Sequence, residues 1–165
     1  MRERLSAYGI AFAIVVLDRI TKIFIKQHFS LWDTRSVISG FFNIIHTENP
    51  GAAFSLFANA QSGWRTLFLI VLSTGALAVI SVLLWRMQGR AGESRLMRWG
   101  LSLILGGAFG NLYDRVIHGT VTDFLELYYN GFSWPAFNVA DSAITIGAAL
   151  VLLDMLLTRR APQTT

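Results

Sequence analysis

Apolar and polar positions fall into long blocks along this chain rather than into short alternations. Four apolar runs stand out, at about Leu5 to Ile25, Trp64 to Trp85, Trp99 to Ile117 and Phe137 to Leu157. Each approaches the roughly 20 residues that a helix needs to cross a bilayer. The second run, "WRTLFLIVLSTGALAVISVLLW", is the cleanest, with a Trp at each end as an interfacial anchor should have. The first follows Arg2 and Arg4 and resembles a signal peptide. No small-x-small cleavage site follows it, and Asp18, Arg19 and Lys22 come next, so the run reads as a retained first helix.

The connections between the blocks differ in kind. Residues 27–63 contain "SVISGFFNIIH", rich in β-branched and aromatic residues, and then the turn signal "ENPG". A short strand or hairpin on the outer face is predicted there. Residues 118–136 begin with a turn and a short β-like piece. They end in Tyr128, Tyr129, Phe132 and Trp134, an aromatic belt at headgroup level. The fold class predicted is an all-α integral membrane protein, a single domain over residues 1–165. It has four transmembrane helices, a small periplasmic β segment and a loop cradle.

Composition agrees with membrane residence: 53% of the residues are hydrophobic and the mean hydropathy is +0.49. The net charge of +4 does not point to nucleic acid, because the basic residues sit between the apolar blocks rather than on one face. They suit anionic lipid headgroups instead. Arg2 and Arg4, then Arg86, Arg90, Arg95 and Arg98, then Arg159 and Arg160 share one side if the spans are even in number. That side, with both termini, is predicted to be cytoplasmic. With no cysteine in the chain, thiol nucleophiles, thiolate metal sites and disulfides are excluded.

Ionisable residues inside apolar runs carry the most information, since each costs roughly 2.5–3.5 kcal/mol at mid-span on insertion scales. In the first run Asp18, Thr21 and Lys22 share a face, and Asp18 and Lys22 have the spacing of an ion pair. A pair snorkelling near the outer interface is the simpler reading, direct catalysis the competing one. In the third run Gly106 and Gly110 form a small-xxx-small pair that admits a neighbouring helix. Asn111, Asp114 and Arg115 follow on one face. Asp114 reads as structural, and Arg115 as structural or as a holder of an anionic or carbonyl group.

Asn138, Asp141, Ser142 and Thr145 form a stripe on the fourth run, and Asp123 lies in "GTVTDFLE" at the membrane surface. Asp123 and Asp141 thus both belong to the outer edge. Two carboxylates brought together cannot both ionise cheaply, so one pKa rises and the pair shares a proton. Such a dyad activates water with one member and polarises a carbonyl with the other. The alternative stays open at this point: Asp141 also suits a helix N-terminus, and Asp123 an ordinary loop.

Other chemistry is weakly signalled. His46, Glu48 and His118 suggest a metal only faintly, without an H-E-x-x-H pattern. Lys22 as base with Ser55 as nucleophile lacks a G-x-S-x-G elbow. Glu126 and Asp154 read as interfacial or loop charges. A proton-coupled transporter would need acids near mid-span and usually an internal repeat, and neither is visible. A non-catalytic adaptor would leave the converging polar motifs unexplained.

Four stretches together carry a resemblance: "DRITK" (Asp18 to Lys22), "NPGAAFS" (Asn49 to Ser55), "GNLYDRVIHGTVTDF" (Gly110 to Phe124) and "FNVAD" (Phe137 to Asp141). In order and spacing they resemble the bacterial lipoprotein signal peptidases, also called type II signal peptidases. The resemblance covers nearly the whole chain. It implies an intramembrane aspartic endopeptidase of the bacterial inner membrane, with Asp123 and Asp141 as dyad and no metal or cofactor. The implied substrate is a diacylglyceryl-modified prolipoprotein, cut just before its lipidated cysteine, and the implied inhibitors are globomycin-type cyclic peptides. The resemblance assigns substrate contact or site support to Asn49, Gly51, Asn111, Arg115, Val121 and Asn138. Asp18, Lys22 and Asp114 fall to stability or site organisation.

Overall fold

The computed structural model describes residues 2–51, 62–87 and 94–159. Four long helices occupy the four apolar blocks: α1 (Arg2–His28), α2 (Ser62–Arg86), α3 (Arg95–His118) and α4 (Val139–Arg159). At 1.5 Å rise per residue even the shortest, with 21 residues, is about 31 Å long, enough for the hydrocarbon core. Gly63–Arg86 and Val139–Thr158 are also apolar enough to cross a membrane. The charges of α1 and α3 set those two apart.

Local chemistry sets the helix ends. Ser94 caps α3, its hydroxyl accepting from Leu96 N at 3.2 Å, and Gly119 ends it in the left-handed region at φ 76°, where L side chains are strained. α3 is the central helix and packs on the other three. Small residues let it approach closely. A Cβ on Gly106 would lie 2.6 Å from the Ala11 carbonyl oxygen of α1, and one on Gly100 2.7 Å from the Gly147 carbonyl oxygen of α4. The predicted Gly106–Gly110 pair thus serves α1, while Gly107 serves α4 at Ala140.

The predicted β segment proves larger than expected. Strands β1 (Thr34–Ile38), β2 (Phe42–Asn49), β3 (Val121–Tyr129) and β4 (Phe132–Ser133) form one antiparallel sheet in that order. The all-α description is corrected accordingly: the molecule is mostly helical with a four-stranded sheet. The connection at 118–136, predicted as a turn and a short β-like piece, is dominated by the nine-residue β3. Asn130 and Gly131, both at positive φ, turn it into β4 with Tyr129 opposite Phe132. The ladder between β2 and β3 breaks step between Ile44 and Thr47.

Two apolar clusters bracket a polar centre. Ala7, Ile80, Leu84 and Leu101 join α1, α2 and α3 at one end. Ile25, Phe29 and Phe124 seat the sheet on the end of α1 at the other. Between them lie buried Asp18, Lys22, Asn111, Asp114, Thr122, Asp123 and Asn138. The snorkelling reading of Asp18 and Lys22 is corrected: both are 0% exposed. Lys22 Nζ donates to Asp18 Oδ2 at 2.8 Å and to Asn111 Oδ1 at 3.1 Å, and lies 2.8 Å from Asp114 Oδ2. Arg19 pairs with Asp114 as well. Two carboxylates and two cations thus compensate one another, which makes full burial affordable. Asp154, expected as an interfacial or loop charge, is instead buried within α4.

Candidate active site

The site is assembled where α4 begins. Asn138 stands immediately before the helix, not on it, and Asp141 is its third residue. The Asp141 backbone N–H donates to Asn138 Oδ1 at 2.9 Å, and the Asn138 N–H donates to Asp141 Oδ2 at 3.2 Å. These reciprocal bonds are a capping box, satisfying two backbone donors that a helix start leaves free. Ala140 N–H finds its acceptor on another helix, at Asp18 Oδ1 3.1 Å away.

With its oxygen committed to the cap, the Asn138 amide nitrogen points the other way. It donates to Asp123 Oδ1 at 2.7 Å and also approaches Asn111 Oδ1 and the Thr122 carbonyl, each at 3.3 Å. One side chain therefore touches both aspartates found in the sequence motifs. Asn111 Nδ2 donates to the remaining Asp141 oxygen at 2.7 Å, oriented by Lys22 on its own carbonyl. Asn49 Nδ2, at the end of β2, donates to the second Asp123 oxygen at 3.0 Å, and its Oδ1 accepts from Gly51 N–H.

Asp123 and Asp141 are thus held entirely by neutral amides, and neither makes a salt bridge among the described residues. Asp123 is 2% exposed. Its pKa is pushed up to about 6, chiefly by burial; the Asn49 bond opposes this, the neighbouring Asp141 charge adds to it, and Asn138 and Lys22 oppose it more weakly.

A cleft of about 630 Å³ opens beside the pair, within the size range of ligand sites. Asn49, Gly51, Arg115 and Asp141 line it; Asp123, Asn111, Val121 and Asn138 are not on its wall and support it from behind. Val121 pairs with Asn49 in the ladder. Arg115 Nη1 donates to its own helix at the Asn111 carbonyl, while its buried Nε has no hydrogen-bond partner among the described residues. A guanidinium with a donor to spare is thereby available to a ligand carbonyl or anion.

Ser142 and Thr145 of the predicted stripe also line the cleft, while the apolar part of the wall escaped the sequence reading. Leu69 of α2, Leu127 of β3, Ile146 of α4 and the stretch Trp134 to Phe137 make it apolar. The only hint was the aromatic belt. Trp134 and Phe137 are hydrogen-bonded along β3, to Leu127 and Leu125, which holds this stretch against the sheet. Of the weaker candidates, His46 and Glu48 meet at 3.5 Å, but no group of three His, Asp or Glu side chains suited to a metal occurs among the described residues. Ser55, with the rest of its motif after Gly51, lies outside the described residues, as do Arg90 and Arg160.

Comparison with known proteins identifies the family. Residues 10–157 match the family model described as signal peptidase (SPase) II. A lipoprotein signal peptidase of Solibacter usitatus is 49% identical over 95% of this chain and 94% of its own length. That of Janthinobacterium sp. (strain Marseille) is 47% identical over 90% and 86%. Two solved structures, each described as a bacterial membrane enzyme, superpose with TM-scores of 0.82 and 0.78. They are 29% and 30% identical and cover 97% and 92% of this chain, and 93% and 92% of their own. With the match spanning both aspartates and every helix, the chain belongs to the signal peptidase II family.

Proposed function

We propose that this protein is a membrane-embedded aspartic endopeptidase that removes the signal peptide from diacylglyceryl-modified prolipoproteins just before the lipidated cysteine. Asp123 and Asp141 are its dyad. The observation that carries the reading is Asn138 beside an apolar cleft: its side-chain amide donates to the Asp123 carboxylate and accepts from the Asp141 N–H, and its own backbone N–H donates to the Asp141 carboxylate. The relatives' name, lipoprotein signal peptidase, supplies the substrate class.

The chemistry follows from the environment of each carboxyl. Asp123, buried and pushed up to about 6, holds the shared proton, and seating of an apolar substrate excludes water and favours the neutral form further. Asp141, on the cleft wall, takes a proton from the attacking water as that water adds to the scissile carbonyl. Protonated Asp123 donates to the carbonyl oxygen as it gains charge. Collapse of the tetrahedral intermediate passes the proton from Asp141 to the leaving amine, and a hydroxyl of the intermediate returns its proton to Asp123 as the new carboxyl group forms. Arg115, with its spare donor, and the Asn49 amide hold the peptide so that the carbonyl faces the pair. No metal or cofactor takes part in this scheme.

In this reading all four helices cross the bacterial inner membrane. α1 supports it by turning Asp18 and Lys22 inward while exposing Phe12, Leu17, Ile20, Ile23 and Phe24. Both termini lie on the cytoplasmic side, with the sheet and cleft at the periplasmic face, as the Lys/Arg bias suggests. Membrane lipids surround the bundle, and cyclic peptides of the globomycin type block the cleft. The test is cleavage of a diacylglyceryl-prolipoprotein by reconstituted wild type, Asp123→Asn and Asp141→Asn, each checked for folding. Both variants are expected to bind substrate without cutting it; full activity in either removes that residue from the chemistry.

A further inference from the structure

Glu48 takes no part in the scheme above, yet its carboxylate gathers partners from four parts of the molecule. Thr120 Oγ1, in the turn after α3, donates to Oε2 at 2.7 Å, and Thr122 Oγ1 of β3 donates to Oε1 at 3.0 Å. Lys26 Nζ of α1 lies 3.2 Å from Oε1, and His46 Nε2 lies 3.5 Å from it. Burial raises its pKa, but the Thr120 bond, the Lys26 charge and the Thr122 bond outweigh burial and hold it below the usual carboxylate range. Glu48 therefore stays ionised across the range in which Asp123 titrates.

Its place in the ladder gives these bonds a purpose. Glu48 stands opposite Thr122, and Asn49 opposite Val121, just beyond the broken step between Ile44 and Thr47. Past such a bulge the preceding ladder no longer dictates the register, and a slip of one residue moves every side chain to the other face. Alternation puts Glu48 and Thr122 on one face and Asn49 and Asp123 on the other. The Glu48–Thr122 bond on the first face thus fixes the partnership on the second.

We propose that Glu48 is a positioning residue for the site: by bonding Thr120 and Thr122 it pins the end of β2 against β3 and so delivers the Asn49 amide to Asp123. The inference rests on the reading of Asp123 as catalytic. The charged groups facing Glu48 are Lys26 from α1 and the ring of His46 from β2. Those acting on Asp123 are Asp141 from α4, Lys22 from α1 and Arg115 from α3. Glu48 touches Lys26 and His46 directly, whereas it reaches the groups acting on Asp123 through the strand it pins.

The test is a carboxyl titration by difference infrared spectroscopy on the full chain in lipid, the Asp123 band being identified by its loss in Asp123→Asn. Glu48→Ala is expected to move the Asp123 midpoint upward by as much as Asn49→Ala does, about one pH unit or a tenfold change in proton affinity. Adding Glu48→Ala to Asn49→Ala is expected to move it no further. Glu48→Gln keeps one acceptor oxygen for one threonine hydroxyl and offers an N–H to the oxygen of the other, so the strand stays pinned and the midpoint should stay near the wild-type value. A midpoint unchanged in folded Glu48→Ala, or additive shifts in the double variant, overturns the proposal. Should Glu48→Ala not fold, Thr122→Val removes one bond at nearly constant shape. A smaller upward shift supports the proposal, and no shift overturns it. Failure of the underlying reading looks different, as full cleavage by Asp123→Asn while the midpoints still move.

Discussion

Asn49→Ala removes the bond from β2 to the carboxyl assigned the shared proton, together with the acceptor of the Gly51 N–H. The bond is 3.0 Å long and opposes the burial that raises Asp123 to about 6. A bond to a charged group contributes about 1.5–3 kcal/mol net. Asn49 lines the cleft, so water occupies part of the space left by Ala, and the lower end applies. About 1.5 kcal/mol corresponds to about one pKa unit. The sign is fixed by what is lost: a donor to the ionised form disappears, so ionisation becomes harder and the pKa rises. Because Asp123 acts protonated in the proposed scheme, kcat/KM for a diacylglyceryl-prolipopeptide should fall as pH rises through about 6 in the wild type and through about 7 in the variant. The plateau on the acid side is expected to drop, since the same amide positions substrate, but the midpoint is independent of plateau height. The assay is a pH profile of kcat/KM in lipid or detergent from acid to mildly alkaline pH. A falling limb that stays in place, or moves down, refutes the assignment of the proton to Asp123.

Three further outcomes are expected. Lys22→Met leaves Asp18 and Asp114 buried without their shared cation and should cost about 3–5 kcal/mol, read as a loss of thermal stability in detergent; the loss should shrink in an Asp114→Asn background. Because the folded pKa of Asp123 lies above its value of 3.8 in the unfolded chain, its contribution to stability is complete below pH 3.8 and lost as pH rises through about 6, about 3 kcal/mol in all. Stability measured against pH should show that decline in the wild type and not in Asp123→Asn. Gly107→Val drives a side chain into the Ala140 carbonyl and Ile144, parting α3 from α4, and should lower both stability and cleavage, whereas Gly63→Ala, whose added Cβ meets no described atom within 4 Å, should leave cleavage intact.

Much of this architecture is written in the chain at the level of blocks and motifs. The apolar runs locate all four helices to within a few residues, and the stripes around Asn111 and Asp141 name the faces that meet. What escaped was whatever depends on two distant segments at once. The cost of a charge in lipid argues for Lys22 at the interface when α1 is considered alone. Only with Asp114 brought in from α3 does full burial make sense. Glu48 looked like a stray metal ligand because its hydroxyl partners lie 72 and 74 residues away. The β3–β4 hairpin is a different case. Asn130-Gly131 is a strong short-range turn signal, and the aromatic residues around it read as a membrane belt instead.

The sharing of Asn138 between helix cap and carboxyl pair ties chemical competence to completed assembly. A copy whose sheet has not docked lacks Asp123 beside that amide, and one whose first helix is misplaced loses the Asp18 acceptor for the opening turn of α4. In the proposed scheme a half-built molecule therefore has no working pair, and cleavage waits on the docking of sheet and first helix.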